Sequence, residues 1–396
     1  MTPEASYDII VIGAGPAGST AAKYAAENGA SVLLIDKKKD LGSPIQCGGF
    51  LPHYEELQEL LPSAELPSTL EKIPASSIHT STHIHRFFSP NLEPKEFGVE
   101  ADVLDRARFD KHLAREAVKS GADLMVSTRA DSIQGDTVAL RGVLGEYNIK
   151  ATVIIGADGP LSLVAKTAGL IDRNDDMGRA TALEYELVGV DIDHDAVEMY
   201  FGRDYAPGGY GWIISQGGDT ANIGVGIRRP LCEPGVSVQD YLHRFMYEHP
   251  RAAPMLDGAR ITAVISGIVP VGGAPPSTVA GNIMICGDAA GHLIATNGGG
   301  IPTAMVGGKI AGETAADAVS GKCQLSDYDT RWRKQMGLEI KTSVYVKKLM
   351  DGLMRSDPMM STAMKMISPE QMKALQRGRL PEPVKKLLTS FNAGVR

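Results

Sequence analysis

Tyr7-Asp8-Ile9-Ile10-Val11-Ile12-Gly13-Ala14-Gly15-Pro16-Ala17-Gly18 decides the fold of this 396-residue chain. An apolar run drives into a G-x-G-x-x-G turn and an alanine-rich helical pattern follows. A second apolar run, Ser31 to Ile35, is closed by Asp36. Strand, glycine turn, helix, strand and acid in this order mark a dinucleotide-binding βαβ unit. Gly13 permits the tight turn, Gly15 lets the backbone approach a pyrophosphate, and Gly18 lets the helix pack closely on the strand. The phosphates then belong at the positive end of the helix that starts near Pro16. Asp36 stands where a carboxylate accepts from adenosine ribose hydroxyls.

The bulk properties narrow the class. The length allows two or three domains with a substantial core. Hydrophobic residues at 43% and charged residues at 22% describe an ordinary soluble globular chain. A net charge of −7 argues against a general nucleic-acid binder, so no nucleic acid is expected among its partners. The first strand begins almost at once, with no charged n-region and apolar h-region before it. Cys47, Cys232, Cys286 and Cys323 lack C-x-x-C spacing, so the simplest reading is a reducing, cytoplasmic setting without disulfides or a cysteine metal site. The longest uncharged stretch, Ala289 to Gly308, is rich in glycine and holds His292, Asn297 and Pro302. It would span a bilayer poorly, and any lipid is met from the surface.

Along the chain, residues 1–70 read as the first part of the nucleotide domain and 71–100 as an excursion from it, irregular and proline-punctuated from Leu51 to about Gly98. Residues 101–175 form a second part, with an amphipathic helix from Leu104 to about Ser120, a strand from Asp123 to Thr128 and a buried strand from Ala151 to Ile155. Residues 176–274 alternate apolar and polar positions between turn signals. Ala182–Val190, Ala196–Phe201, Gly211–Ser215 and Ala221–Ile227 read as strands of a mainly antiparallel sheet. Residues 275–324 return to α/β character, and 325–396 are helical. There is no internal repeat and no low-complexity tract.

A second apolar strand ends in Gly287-Asp288-Ala289-Ala290-Gly291, followed by Asn297-Gly298-Gly299-Gly300-Ile301. An aspartate at a strand end facing the crevice suits a ribityl hydroxyl. A glycine-opened helix suits the O2 and N1 edge of a flavin, because helix N-termini favour the negative charge of its reduced form. The plainer alternative makes Asp288 an N-cap and the glycines a loop. Gly156-Ala157-Asp158-Gly159 also follows an apolar strand, and Asp-Gly is a common turn pair. Arg106 suits a cation reaching cofactor phosphate or ribose, while Arg108 belongs in solvent.

Together these segments resemble the geranylgeranyl reductase family of flavoproteins, within the p-hydroxybenzoate hydroxylase-like fold. The glycine fingerprint at 13–18, Asp105-Arg106-Ala107-Arg108-Phe109-Asp110, Gly156–Gly159 and Gly287–Gly291 fall in that fold's order across roughly the first 310 residues. Gly42-Ser43-Pro44-Ile45-Gln46-Cys47-Gly48-Gly49 is similar to the family's cysteine–glycine loop beside the flavin. It reads Cys-Gly-Gly where many archaeal members have Cys-Gly-Glu. Pro207-Gly208-Gly209-Tyr210-Gly211-Trp212 resembles the start of the P-x-x-Y-x-W-x-F-P motif lining the lipid cavity, but Ile214 and Ser215 replace the usual Phe and Pro. The resemblance is greatest to archaeal enzymes that saturate digeranylgeranylglycerophospholipids.

The resemblance implies an α/β fold: a discontinuous Rossmann-type FAD-binding domain, an inserted mainly antiparallel β-sheet substrate domain and a helical C-terminal region. It implies FAD as cofactor, touched by Ala17, Asp36, Cys47, Gly48, Arg106, Ala130, Asp288, Gly300 and Ile301 alongside Gly13, Gly15 and Gly18. Ala17 and Ala130 come from the resemblance alone. The implied chemistry is hydride and proton delivery to opposite carbons of an isoprenoid alkene, and the implied partner is an isoprenoid ether lipid substrate. Tyr210 and Trp212 are then substrate-binding wall residues, or else ordinary β-domain core. Cys47 is the catalytic candidate, relaying a proton or tuning the flavin, against a merely packed thiol. His292 reads as a group behind the cofactor. His83 and His85 read as a solvent-facing strand edge rather than a metal pair.

From Lys341 to Arg396 the chain carries 11 Lys/Arg and 4 Asp/Glu, and half of the 16 methionines lie between Met336 and Met372. Such a region suits a helical cover meeting anionic lipid headgroups, or a basic tail packed on the main domains. The setting is therefore cytoplasmic, free or peripheral on the inner face of the cell membrane. No second G-x-G-x-x-G unit is evident, which leaves ferredoxin or NADPH as electron donor. The rivals are a flavin monooxygenase for aromatic or polyketide substrates, a reductase of another polyprenyl substrate, and a non-catalytic FAD-dependent lipid carrier.

Overall fold

The computed structural model describes residues 3–381, apart from 45, 144 and 172–174. Its first sheet has a parallel centre in the order β16 (Ile283–Ile285), β9 (Gly145–Gly156), β1 (Ser6–Ile12), β2 (Val32–Ile35), β6 (Asp123–Met125). At one edge lies β15 (Val279–Ala280), and the hairpin β7 (Thr128–Gln134)–β8 (Thr137–Gly142) is carried on β9. Ile9–Ile12 of β1, Val32–Ile35 of β2 and Val153–Ile155 of β9 are continuously apolar because both faces are covered there. Ile9, Val11, Leu34 and Ile155 face one core, while Ile10, Leu33, Ile35 and Ile154 face the other.

Helix α1 (Pro16–Glu27) and the long helix Ile301–Val319 cover the first of those faces, crossing at backbone distance. A Cβ built on Gly308 would lie 2.2 Å from the Ala17 carbonyl oxygen, and one on Gly312 would lie 2.2 Å from that of Ala21.

The second sheet runs β14 (Arg260–Val269), β10 (Ala180–Val188), β13 (Thr220–Ile227), β12 (Tyr210–Gly217), β11 (Ala196–Tyr200), β4 (Ile78–Phe88), β5 (Pro94–Leu104), β3 (Phe50–Pro52). All pairs are antiparallel except β11–β4. Alternation sorts its residues. Tyr185, Leu187, Ile213 and Ile223 bury under the helix Val238–Tyr247, whose Tyr241 and Phe245 are in the same cluster. The opposite face of its central strands turns toward the first sheet.

Among the helices used below, α2 is Tyr54–Leu60, α3 is Arg106–Lys119, α4 is Val238–Tyr247 and α5 is Ile301–Val319. The C-terminal helices are α6 (Leu338–Leu353), α7 (Asp357–Met366) and α8 (Pro369–Gln376).

Two expectations are corrected. The stretch from Leu51 to Gly98 is not irregular, because it holds α2, all of β4 and the start of β5. Register shifts between Ile78 and Thr80 and between Thr82 and Ile84 break the period-two pattern that would have disclosed them. The second shift also separates the two histidines. His83 stands at the bulge and meets Asp195 in solvent, whereas His85 is fully buried against Phe50 and Phe97. Burial pushes the His85 imidazole down to about 3, with the Lys373 charge acting the same way. His85 is core, not strand edge.

The methionine-rich region folds inward. Met360, Met364 and Met372 pack with Phe87, Phe97 and Phe201 on the second sheet. The last part of the basic stretch, 382–396, lies outside the described residues.

The α1–α5 crossing gives a direct test. Gly308→Ala should lower unfolding stability by about 1–3 kcal/mol, since the added methyl must force two backbones apart. Gly352→Ala, where nothing lies within 4 Å of the new Cβ, should be neutral or slightly stabilising in denaturant titrations.

Candidate functional site

The crevice lies at the carboxyl ends of β1, β9 and β16, where ligands bind in open parallel sheets. Gly13 turns there with φ +104, and its N–H donates to the Ile35 carbonyl at 2.8 Å. A Cβ on Gly13 would stand 2.3 Å from the Ala157 carbonyl oxygen, and one on Gly18 1.7 Å from that of Gly13. Gly15 differs, since a Cβ there would meet nothing within 4 Å. It is also the N-cap of α1 and supplies no side-chain cap. The first-turn amides of α1, Ala17 among them, therefore open on the crevice without a capping acceptor.

Asp36 clamps the rim of this turn. Its Oδ2 accepts from Ala14 N and its Oδ1 from Lys38 N, each at 2.7 Å. A carboxylate with two such bonds keeps lone pairs for a further donor. Thr128 N donates to the Asp36 carbonyl at 2.8 Å, which brings the start of β7 beside it. Ala130, further along β7, packs half-buried on the core beneath.

Arg106 opens α3 behind the N-cap Asp105, which accepts from Arg108 N at 3.0 Å. Its Nε and Nη2 donate to the two Asp110 oxygens at 3.0 and 3.1 Å. Burial opposes the Arg106 charge, but Asp110 and Cys47 beside it hold its pKa above the ordinary value. Arg108 lies in solvent and donates to the Ser76 carbonyl.

The Cys47 loop is pressed onto the second sheet. A Cβ on Gly48 would stand 2.9 Å from Ile214 Cδ1 and 3.3 Å from Asn222 Oδ1, and one on Gly49 2.5 Å from the Leu104 carbonyl oxygen. Gly49 N donates to Cys47 Sγ at 3.4 Å.

Asp288 lies in the short turn after β16, and its carboxylate has no hydrogen-bond partner among the described residues, so it caps no helix. Protein surrounds it, yet it is not fully buried, because the carboxylate looks into the crevice. Burial pushes it up to about 6, against the pull of the Arg106 charge. A Cβ on Gly300 would stand 3.4 Å from Asp288 Oδ1, so the carboxylate faces the N-terminus of α5 at Gly300 and Ile301. That helix end carries no side-chain cap either. Asp158, by contrast, accepts from Leu163 N and Val164 N at 2.7 and 3.2 Å, and so closes the turn before a short helix.

Between the two sheets is a cavity of about 260 Å³, bounded by the Cys47–Gly49 loop, the Gly298–Gly300 turn and the inner face of the second sheet. Tyr210 and Trp212 both line it. The Tyr210 hydroxyl donates to the Asn297 carbonyl at 2.5 Å, tying the second sheet to the turn before α5. Trp212 Nε1 donates to Asn222 Oδ1 at 2.7 Å, and its indole lies across Gly224, where a Cβ would fall 2.2 Å from the ring. His292 does not reach the cavity. It is buried beside Gly307 and Trp332 with both ring nitrogens unpartnered, and burial pushes it down to about 3.

Among the polar lining residues that escaped the sequence reading are Glu184, Arg228 and Lys347. Arg228 is 2% exposed; its Nε donates to the Gly208 carbonyl at 2.6 Å, its Nη2 pairs with Asp351, and its Nη1 has no partner among the described residues. Lys347 Nζ reaches the Met177 carbonyl at 3.2 Å and Asp351 at 3.6 Å, and burial lowers its pKa. The one available signal was a charged residue at an inward position of an apolar alternation, as at Glu184 in Ala180–Val188.

Comparison with known proteins adds to this geometry. A family model described as FAD binding domain matches residues 6–213, and one described as geranylgeranyl reductase catalytic domain matches 179–269. Digeranylgeranylglycerophospholipid reductase 2 of Methanothermobacter thermautotrophicus is 35% identical over 359 residues, 88% of each chain. Digeranylgeranylglycerophospholipid reductase of Methanosarcina acetivorans is 36% identical over 375 residues, covering 89% of this chain and 86% of its own. The crystal structure of a geranylgeranyl bacteriochlorophyll reductase-like protein from Thermoplasma acidophilum superposes with a TM-score of 0.77 at 27% identity, covering 95% of this chain and 92% of its own.

The Arg106–Asp110 pair can be tested apart from any ligand. Arg106→Met leaves a buried carboxylate without its cation and should cost about 3 kcal/mol or more. Arg106→Met with Asp110→Asn should recover most of that loss in thermal unfolding, because no unpaired charge remains.

Proposed function

This chain belongs to the geranylgeranyl reductase family of FAD-dependent oxidoreductases, and on that premise we propose that it saturates the isoprenoid double bonds of digeranylgeranylglycerophospholipids in archaeal membrane lipid synthesis. The observation that carries the substrate reading is the cavity: it is largely apolar, adjoins the Cys47 loop and the α5 N-terminus, and on one side sets the buried cations Arg228 and Lys347 against the single carboxylate of Asp351. An amphiphile with prenyl chains and an anionic head matches that lining. Arg228 Nη1 and Lys347 would hold the phosphate end, because a surplus buried positive charge is stabilised by an anion. Tyr210 and Trp212 would wall the prenyl chain and exclude water from the reacting bond.

The crevice fits FAD on its own terms. The uncapped amides of α1 beside Gly13, Gly15, Ala17 and Gly18 suit a pyrophosphate. Asp36, with Ala130 nearby, suits the adenosine end. The partnerless Asp288 carboxylate suits the ribityl hydroxyls, and the uncapped N-terminus of α5 at Gly300 and Ile301 suits an anionic flavin edge. Cys47, Gly48 and Arg106 would close the opposite side. When bound and reduced, FAD supplies the hydride. The chain's part is then to orient the alkene, keep the cavity dry and provide the proton.

Two partners belong to this reading. Electrons come from outside the chain, from ferredoxin or NADPH, and stopped-flow reduction of the bound flavin by each would separate them. Lipid is met at the inner face of the membrane. No helix among the described residues is long and apolar enough to cross one. Leu338, Tyr345 and Leu349 are exposed along one face of α6, flanked by exposed Lys341 and Lys348. That stripe supports shallow contact with anionic headgroups. The protein should sediment with anionic but not zwitterionic vesicles, and Tyr345→Glu with Leu349→Glu should abolish this without changing flavin content.

The principal test is anaerobic incubation of dithionite-reduced holoenzyme with digeranylgeranylglyceryl phosphate, followed by mass spectrometry. Gain of two hydrogens per bond supports the proposal and removes the carrier alternative. Oxygen-dependent NADPH consumption with an aromatic substrate, without alkene reduction, would select the monooxygenase. Lys347→Met should raise KM for the phosphate-bearing lipid by roughly 10-fold, about 1.4 kcal/mol. Its KM for the same lipid lacking phosphate should stay unchanged.

A further inference from the structure

Strand β10 turns Leu183, Tyr185 and Leu187 into the core under α4, while Ala180, Ala182 and Glu184 line the cavity. Glu184 is thus the one ionisable group among three inward positions otherwise filled by alanine. Its strand neighbours are Gly224 on β13 and Ile265 on β14, and neither carries a polar side chain. A Cβ on Gly224 would meet both the Trp212 indole and Glu184 Cβ, at 2.2 and 2.8 Å, so carboxyl and indole share the space that the glycine leaves. Glu184 is 4% exposed, and its Oε2 has no hydrogen-bond partner among the described residues.

The Cys47 loop is one residue layer away. Asn222 connects the two: its Oδ1 takes the Trp212 N–H and lies 3.3 Å from where a Gly48 Cβ would be, and its side chain also bonds Glu184. The charged groups that act on Glu184 are Glu186 of its own strand and Arg106 of α3, the latter already paired with Asp110. Burial outweighs the Asn222 bond and pushes the carboxyl up to about 7.

Most of the other ionisable groups on the cavity wall have partners, although Cys47 keeps its own S–H. The Tyr210 hydroxyl is given to the Asn297 carbonyl, and burial raises its pKa further. Glu56 is paired with Lys373 and Arg377, and Arg228 and Lys347 share Asp351. Cys47 Sγ accepts from Gly49 N.

We propose that Glu184 is the proton donor that completes saturation of the alkene, an inference that rests on the reductase reading above. Hydride forms a C–H bond at one alkene carbon. The π pair forms the second C–H bond with the Glu184 proton, the O–H pair stays on the carboxylate, and solvent re-protonates it between turnovers. A neutral carboxyl in an apolar wall beside the reacting bond is suited to this work at neutral pH.

The test compares wild type, Glu184→Gln and Glu184→Asp holoenzyme, measuring anaerobic single-turnover reoxidation of pre-reduced flavin by prenyl lipid against pH. Wild type should slow as pH rises through about 7, where the donor loses its proton. Glu184→Gln should be ~10²–10⁴-fold slower with that limb gone, while keeping its FAD content and lipid affinity. Glu184→Asp should restore part of the rate with a shifted limb. Infrared difference titration of the oxidised holoenzyme supplies a readout apart from turnover. A protonated carboxyl band should disappear near pH 7 in wild type and be absent from Glu184→Gln. A Glu184→Gln enzyme with the wild-type rate and limb, or a band titrating in the ordinary carboxylate range, overturns the donor. Wild-type flavin that prenyl lipid never reoxidises overturns the reductase reading itself, and the donor with it.

Discussion

Backbone-to-backbone contact around α1 is the constraint on which the rest of the molecule depends. Gly18 meets the carbonyl of Gly13, Gly308 that of Ala17 and Gly312 that of Ala21, each too close for any side chain. The helix is therefore held between the β1 turn and α5 with no freedom to slide. Two uncapped helix N-termini, at Gly15 and Gly300, converge on one crevice as a result. Their unsatisfied amides and aligned dipoles make it a place for anions. Asp288 and Arg106 flank it, and the charge of each is felt by the other.

The second sheet answers with the opposite chemistry. Its inner face is built from Ala180, Ala182, Gly224, Gly226, Tyr210 and Trp212, a surface with large apolar area and few donors. In such surroundings each charged group must be paired or change its protonation. Arg106 with Asp110, and Arg228 and Lys347 with Asp351, follow the first course. Glu184 follows the second. One wall therefore holds a net positive pole and an acid whose pKa burial raises, a combination suited to an anionic lipid whose double bond must receive a proton.

Legibility followed the period of the pattern. The βαβ opening was readable because its strands are apolar throughout and its glycines stand at fixed spacing. The strands between 180 and 227 were readable because one face is core and alternation survives. β4 and β5 were hidden by register shifts that break the alternation, and the same shift sends His85 inward while His83 stays in solvent. The methionines of α7 and α8 read equally well as a lipid-facing cover, because helical spacing does not say which partner a face will meet. Their neighbours turned out to be Phe87, Phe97 and Phe201.

By itself, the sequence determined the cofactor-binding architecture. A glycine without Cβ at positions 13 and 18, and an acid closing the second strand, are local requirements visible within thirty residues. It also determined that Tyr210 and Trp212 share one face, since they lie two apart on a regular strand. Only the tertiary structure decided protonation and charge balance. Glu184 owes its raised pKa to burial opposite Gly224 and Ile265, and Arg228 finds its carboxylate partner in Asp351, 123 residues further along the chain. Desolvation is a property of everything packed around a group, so no short stretch of sequence can carry it.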